Sequence, residues 1–376
     1  MNIFTSIDYG AVRSAIREMN PVDISELFEE RFEEAKEDDA ALVRVFRMLS
    51  KDAAADVFAY LSSDIQHNII SKIKDYEIKA IVDDMFLDDA VDFIEEMPAG
   101  VVKRVLANVR PETRELINRF LNYPENSAGS VMTNEYIDLK EHLTVAETFA
   151  KIRREGLDKE TIYTCYVIDA ARRLLGTVTV KTLLLSAPGD KIGDIMERGM
   201  ISASTADDKE QVANDFRKYG LLAMPVVDNE SRLVGIVTVD DVMTIQEEEA
   251  TEDFELMAAM SPSDEPYLKT SVWALTKNRI LWLMLLMLSA TLTGTIISGF
   301  EAALAALPVL VSFIPMLMDT GGNAGAQSST LVIRGMALEE IKLGDALRVL
   351  WKELRVAMLC GGALAAVNFV RVLLMR

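Results

Sequence analysis

The sequence predicts a multidomain membrane protein of α and α+β class. It should comprise an N-terminal α-superhelical domain, a tandem α+β repeat, an acidic connecting helix and transmembrane α-helices. Three observations predict this. Apolar residues recur at helical spacing through residues 20–125. The segment Tyr166–Leu184 recurs as Pro225–Met243, with Asp169/Asp228 and Gly176/Gly235 both offset by 59 residues. Beyond residue 280 the chain carries long uncharged stretches. The boundaries read as 1–19 (N-terminal segment), 20–127 (acidic helical domain), 128–190 and 191–245 (the two repeats), 246–268 (connecting helix and linker) and 269–376 (transmembrane domain).

Charge separates the same parts. The 376 residues carry a net charge of −20. Residues 269–376 hold ten Lys/Arg and six Asp/Glu, a net of +4, which leaves −24 on residues 1–268. That excess of carboxylate disfavours nucleic acid as a partner and attracts cations. Cys165 and Cys360 are too far apart in sequence to form a zinc pattern or a disulfide framework. His67 and His142 form no pair at ligand spacing. The sequence shows no catalytic histidine cluster, activated nucleophile or phosphate-binding glycine loop, so no enzyme is expected.

In the helical domain Val57, Leu61, Ile65, Ile69, Ile70 and Ile73 mark one apolar face. Breaks fall near Asp75, Met97-Pro98 and Arg110-Pro111, with both prolines where a helix would start. Asp88 and Asp92 are four apart, so on a helix they share a face and repel. That face is either simply solvated or built to meet a cation. Each repeat should hold an amphipathic helix (Val145–Arg154, Gln211–Tyr219), a strand, a turn with Asp, a strand after the Gly, and a helix. Gln246–Met257 is an acidic helical run, broken by Ser261–Pro266.

Three spans are predicted at about 280–300, 306–333 and 356–375, long enough to cross a bilayer. Lys277 and Arg279 before the first place that end, and the acidic domains, in the cytoplasm. A multi-pass protein of the cell membrane follows. The second span is unusual: it contains Asp319-Thr-Gly-Gly-Asn-Ala-Gly-Ala-Gln-Ser-Ser-Thr330. Polar groups at bilayer depth are costly and face a water-filled path or a partner.

The order of parts, together with Pro315-x-Leu-x-x-Thr-Gly-Gly-Asn-x-Gly-x-Gln-Ser-x-Thr330, resembles the MgtE family of magnesium transporters and channels. The tandem repeat resembles a pair of cystathionine-β-synthase-type (CBS) domains. The resemblance implies a homodimer in the lipid bilayer that passes Mg²⁺ down its gradient. It also implies that cytosolic Mg²⁺ bridges the acidic domains and locks the connecting helix as a plug. The acids matching the family pattern are Asp56, Asp88 and Asp92 in the N domain, Asp208, Glu210 and Asp241 in the second CBS copy, and Glu249, Glu252 and Asp253 in the connecting helix. Gly220 and Thr244 stand where the family can show an acid. Asn323, Gln327 and Asp319 are the expected pore-lining residues, with Asp319 read either as an ion ligand or as a helix-boundary residue. CBS pairs often take adenine nucleotides between their copies, so ATP is an implied ligand with no residue assigned. The family has five spanning helices and its main pore-site carboxylate lies on the fifth, so this chain is expected to be a fragment of a longer transporter. The rival expectation is a non-conducting, membrane-anchored sensor of Mg²⁺ or nucleotide.

Overall fold

A computed structural model of the chain describes residues 9–35, 40–263, 267, 270–306, 311, 313–338 and 340–374. Residues 1–8, the prolines at 266 and 308 and the end of the third expected span lie outside them. The chain divides into two units, Met1–Ile245 and Gln246–Arg376.

The first unit opens with α1 (Tyr9–Glu18), α2 (Pro21–Ala35), α3 (Ala40–Phe46), α4 (Lys51–Ala59), α5 (Ser63–Lys72), α6 (Asp75–Val82), α7 (Leu87–Glu96), α8 (Ala99–Asn108) and α9 (Pro111–Phe120). Packing skips one helix: α4 lies on α6, α6 on α8, α5 on α7 and α7 on α9. This is the superhelix that the periodicity predicts. Edge-on rings tie it together, Phe28 to Phe46 to Phe58 to Phe93, with the last pair 5.1 Å apart. Pro111 is the first residue of its helix, where its missing N–H costs nothing. Pro98 sits one place earlier than expected, at the N-cap of α8.

Each repeat forms a three-stranded sheet. The first comprises β1 (Asp138–Leu139), α10 (Val145–Glu155), β2 (Thr164–Ile168), β3 (Leu174–Thr179), α11 (Val180–Leu185) and the short α12 (Ile192–Ile195) leading into the second. The second comprises β4 (Ala203–Ser204), α13 (Lys209–Tyr219), β5 (Ala223–Val227), β6 (Leu233–Thr238) and α14 (Val239–Met257). In each, the first strand runs parallel and the third antiparallel to the central one. The repeated glycine does not precede a strand; Gly176 pairs with Val167 inside β3 and Gly235 with Val226 inside β6.

The reason is a reciprocal crossing. The segment that starts each copy lies against the sheet of the other, through bridges Thr133–Ile236 and Thr177–Glu197. A Cβ on Gly176 would stand 2.6 Å from the Glu197 carbonyl oxygen, and one on Gly235 would stand 2.6 Å from Met132 Sδ and 2.8 Å from the Thr133 carbonyl oxygen. Gly176→Ala is therefore expected to cost about 1–3 kcal/mol of stability through overpacking. Gly100→Ala, in α8 with nothing near its would-be Cβ, should be neutral or slightly stabilising. Chemical denaturation of the two variants checks this, and equal midpoints would refute the crossing argument.

The N-domain core continues into the second copy. Val57, Phe58 and Ile94 belong to one buried cluster with Met132, Phe216, Met224 and Val237. The first copy has its own core around Val167, Val178 and Leu183. Tyr136, Tyr166, Ile168, Leu233 and Ile236 seal the two copies together.

The second unit holds the end of α14, then α15 (Val272–Gly299), α16 (Glu301–Ala306), α17 (Ile314–Ala337) and α18 (Ala346–Leu374), preceded by a 3-10 turn at Leu343–Asp345. Among the described residues two helical stretches are long and apolar enough to cross a membrane, Val272–Gly299 and Leu343–Leu374. The second of three expected spans departs from this. α17 has 24 residues, but its run of Asp, Asn, Gln, Ser and Thr makes it too polar to pass as an apolar span. The third helix begins ten residues before the expected 356.

Candidate metal site

α7 places its acids by simple periodicity. Asp88 and Asp89 fall in its first turn, and Asp92 one turn later on the face of Asp88. The groups that act on them come from elsewhere in the same unit: Asp56 on α4, Glu135 and Glu160 from the first copy, and Asp240 and Asp241 in the first turn of α14. None of these carboxylates has an ion-pair partner among the described residues.

Burial and mutual repulsion raise their pKa values. Asp88 is held well above the usual carboxylate range, first by burial and then by Asp241 and Asp89. Its Oδ1 is buried without a hydrogen-bond partner, as is Oε2 of Glu160. Burial, then Asp241 and Asp56, push Asp89 up to about 6. Protein packed around Asp92, then Asp89 and Glu95, bring it to about 7. Glu160 is pushed up to about 8 by burial and by Asp240, Asp241 and Asp89. Asp241 is raised by burial, although it accepts a 2.6 Å hydrogen bond from the Thr238 hydroxyl. Asp56 is raised by burial and by Asp52.

Among the described residues, no three Asp, Glu, His or Cys side chains are arranged to hold a bare metal ion. A hydrated ion is a different case. Mg²⁺ gives up water reluctantly and is held through its shell by one or two carboxylates. Two orphaned buried oxygens on facing elements fit such an ion.

The structure thus brings Asp56, Asp88, Asp92 and Asp241 together, and adds Asp89, Asp240, Glu135 and Glu160. Asp89 and Asp240 are each adjacent in sequence to an expected acid. Glu160 lies in the loop between α10 and β2 (156–163), which is longer than its counterpart between α13 and β5 (220–222). Asp208 and Glu210 are placed differently. Asp208 caps α13, accepting the Glu210 N–H at 2.8 Å, and neither is among the groups that most raise the α7 acids. Gly220 ends the same helix with φ 65°, a left-handed position that favours glycine over an acid. Glu249, Glu252 and Asp253 lie on the second-unit part of α14, at i, i+3 and i+4 along one stripe. Burial raises Asp253 while Arg334 opposes the shift.

On α17, Asp319, Asn323 and Gln327 are four apart on one exposed face. Asp319 is the sixth residue of that helix, so it lies inside the helix and not at its boundary. Ser328 beside them donates to the Glu353 carboxylate of α18.

Known proteins show the same arrangement. The MgtE intracellular N domain matches residues 19–126, a CBS domain residues 192–248, and the divalent cation transporter family MgtE residues 314–376. A magnesium transporter MgtE of Thermus thermophilus is 36% identical over 358 residues, covering 94% of this chain and 78% of that one. One of Bacillus subtilis is 32% identical, covering 93% and 76%. Among solved structures, the cytosolic domain of the Mg²⁺ channel MgtE in complex with ATP matches with a TM-score of 0.58 and 33% identity, covering 63% of this chain and 95% of that one. The soluble part of a magnesium transporter matches at 0.59 and 25%, covering 64% and 93%. The same domains in the same order, across nearly all of this chain, show that it belongs to the MgtE family of magnesium transporters, and not to a family of enzymes.

Proposed function

We propose that the chain carries Mg²⁺ across the cell membrane as a homodimer, with α17 lining the path and the acidic domains, on the cytoplasmic side, closing it when cytosolic Mg²⁺ is high. The observation that carries this is the set of unpaired, mutually repelling carboxylates on α7, α14 and the first repeat, two with orphaned buried oxygens. Held without a cation, such a face favours separation; a divalent ion between the facing elements reverses the sign of the interaction. The family supports the choice of Mg²⁺, since its relatives bear the name magnesium transporter. Asp208, Glu210, Glu249, Glu252 and Asp253 extend the same reading to α13 and the connecting helix. ATP joins it as a ligand of the repeat pair, supported by the ATP complex of a 33% identical cytosolic domain.

The test is Mg²⁺ entry into proteoliposomes holding this chain, followed with an enclosed indicator. Influx should exceed that of empty vesicles, and it should fall when millimolar Mg²⁺ bathes the face bearing the acidic domains. Absence of influx at low Mg²⁺ would leave a membrane-anchored sensor as the better description of the chain.

A further inference from the structure

The first ten residues of α18 suit neither water nor hydrocarbon. The helix has 29 residues, a length of about 43 Å, against a hydrocarbon layer of about 30 Å. No charged side chain falls between Val356 and Val370, so that part fits the hydrocarbon and the turns before it stand outside. Those turns nevertheless carry a bare apolar stripe. Leu347, Leu350, Trp351 and Leu354 recur at helical spacing and are all exposed, as is Leu343 in the turn before them. Arg348, Lys352 and Arg355 form a second stripe one residue further round, about 100° away. The inner face meets α17, where Glu353 accepts a hydrogen bond from the Ser328 hydroxyl. We propose that this segment binds anionic phospholipids of the cytoplasmic leaflet, with the leucine stripe on their acyl chains and the cationic stripe on their headgroup phosphates.

Charge complementarity selects the lipid. The segment holds two acids, and both are engaged: Asp345 takes Arg348 at 3.0 Å, and Glu353 takes Ser328. Two cations remain. Lys352 has no ion-pair or hydrogen-bond partner among the described residues. Arg355 donates from Nε to the Trp351 carbonyl at 3.3 Å, and its guanidinium lies over the Trp351 ring at 5.9 Å; it has no carboxylate partner among the described residues. That contact fixes a cation beside a tryptophan, the side chain enriched where headgroups meet acyl chains. Leucine and tryptophan on one face with lysine and arginine on the next is the pattern of a helix seated at that boundary.

A second copy of the chain on the same stripe would cover the leucines and leave Lys352 and Arg355 unanswered. A zwitterionic headgroup brings its own cation to the place where these two stand. An anionic phospholipid meets both stripes at once. The inference rests on the membrane reading of α18, and on the orientation given above only in naming the leaflet; it does not require Mg²⁺ transport.

The experiment uses tryptophan quenching in the full-length chain, which has three tryptophans. Trp351 is kept as the reporter by Trp273→Phe with Trp282→Phe. The protein is reconstituted in phosphatidylcholine containing either brominated phosphatidylcholine or brominated phosphatidylglycerol, with divalent cations chelated and about 50 mM salt. Phosphatidylglycerol should occupy the site beside Trp351 at least about fivefold more strongly than phosphatidylcholine. Lys352→Gln with Arg355→Gln should cut that preference to under about twofold, and about 0.5 M salt should weaken it. Lys352→Arg should keep it within about twofold of the unaltered value. Should the double variant not reconstitute, Lys352→Glu alone supplies the charge test and should also lower the preference. A companion chain with Trp282 as the sole tryptophan reports insertion. Equal quenching by the two lipids at Trp351, or a preference unmoved by the charge variants, would overturn the proposal. Quenching at Trp282 but by neither lipid at Trp351 would assign the stripe to a second copy and also overturn it. Quenching at neither tryptophan would remove the membrane reading itself, and the proposal with it.

Discussion

Without divalent cations, the first unit loses on the order of 3–5 kcal/mol of stability between about pH 5 and about pH 8.5, and millimolar Mg²⁺ restores it. The sign follows from the carboxylates facing α7. Asp89, Asp92 and Glu160 stand at about 6, 7 and 8 in the folded chain, against ordinary values near 4 once unfolded. The folded form therefore binds more protons across this window. Their favourable contribution is complete below about pH 4 and drains away as the pH rises through 6, 7 and 8. Asp92 has protein packed around it but its side chain still reaches water, which screens its share and keeps the total well under the sum of separate shifts. Bound Mg²⁺ replaces the missing protons, so its stabilising effect should be small at pH 5 and large at pH 8. Asp89→Asn with Glu160→Gln should flatten the pH profile and reduce the Mg²⁺ effect together. Hydrogen exchange of the α7 amides in the full-length chain measures both. A flat profile in the unaltered chain would remove the physical basis for sensing on this face.

The parts legible in the sequence share one property: their signals are local or periodic. Helical spacing gave a helical domain with breaks near Asp75, Pro98 and Pro111 but ran Val57–Ile73 together across the turn between α4 and α5, and the 59-residue offset picked out the hairpins β2–β3 and β5–β6 with the helices beside them. The acidic face was legible only in part. Asp88 and Asp92 stand out because they are four apart on one helix. Glu135 and Glu160 do not, because their importance arises when the first copy is brought against α7, a contact with no sequence signature. Asp208 shows how a local role overlaps with the one expected of it. An acid just before an amphipathic helix is also the standard N-cap, and its carboxylate is engaged with the Glu210 N–H. The glycines of β3 and β6 were read as the places where strands begin. They are instead the places where the other copy crosses, which needs both copies in view.

The polar helix α17 yields the other large effect. Asn323→Leu, and separately Gly322→Val, should each lower Mg²⁺ flux at least about tenfold, equivalent to about 1.4 kcal/mol in the barrier, without lowering the amount of folded protein. Among the described residues of a single chain, packing does not account for the residue choice here. Among the described residues, and apart from its own helix backbone, a Cβ on Gly321, Gly322 or Gly325 would meet no atom within 4 Å, so packing against them does not demand glycine. Asp319, Asn323 and Gln327 are exposed on one stripe, and facing lipid they would each carry a penalty with no return. Glycines with open space beside a polar stripe make sense if something else approaches that face closely, namely a second copy, or an ion still carrying its water. Amide oxygens of Asn323 and Gln327 can accept hydrogen bonds from the water shell of Mg²⁺ without stripping it, which suits an ion that dehydrates reluctantly. Asp319→Asn separates two roles on the same helix. A flux that falls and needs higher Mg²⁺ to saturate marks Asp319 as an ion contact, whereas unchanged flux marks it as a bystander. If Asn323→Leu and Gly322→Val both conduct like the unaltered chain, α17 does not line the path.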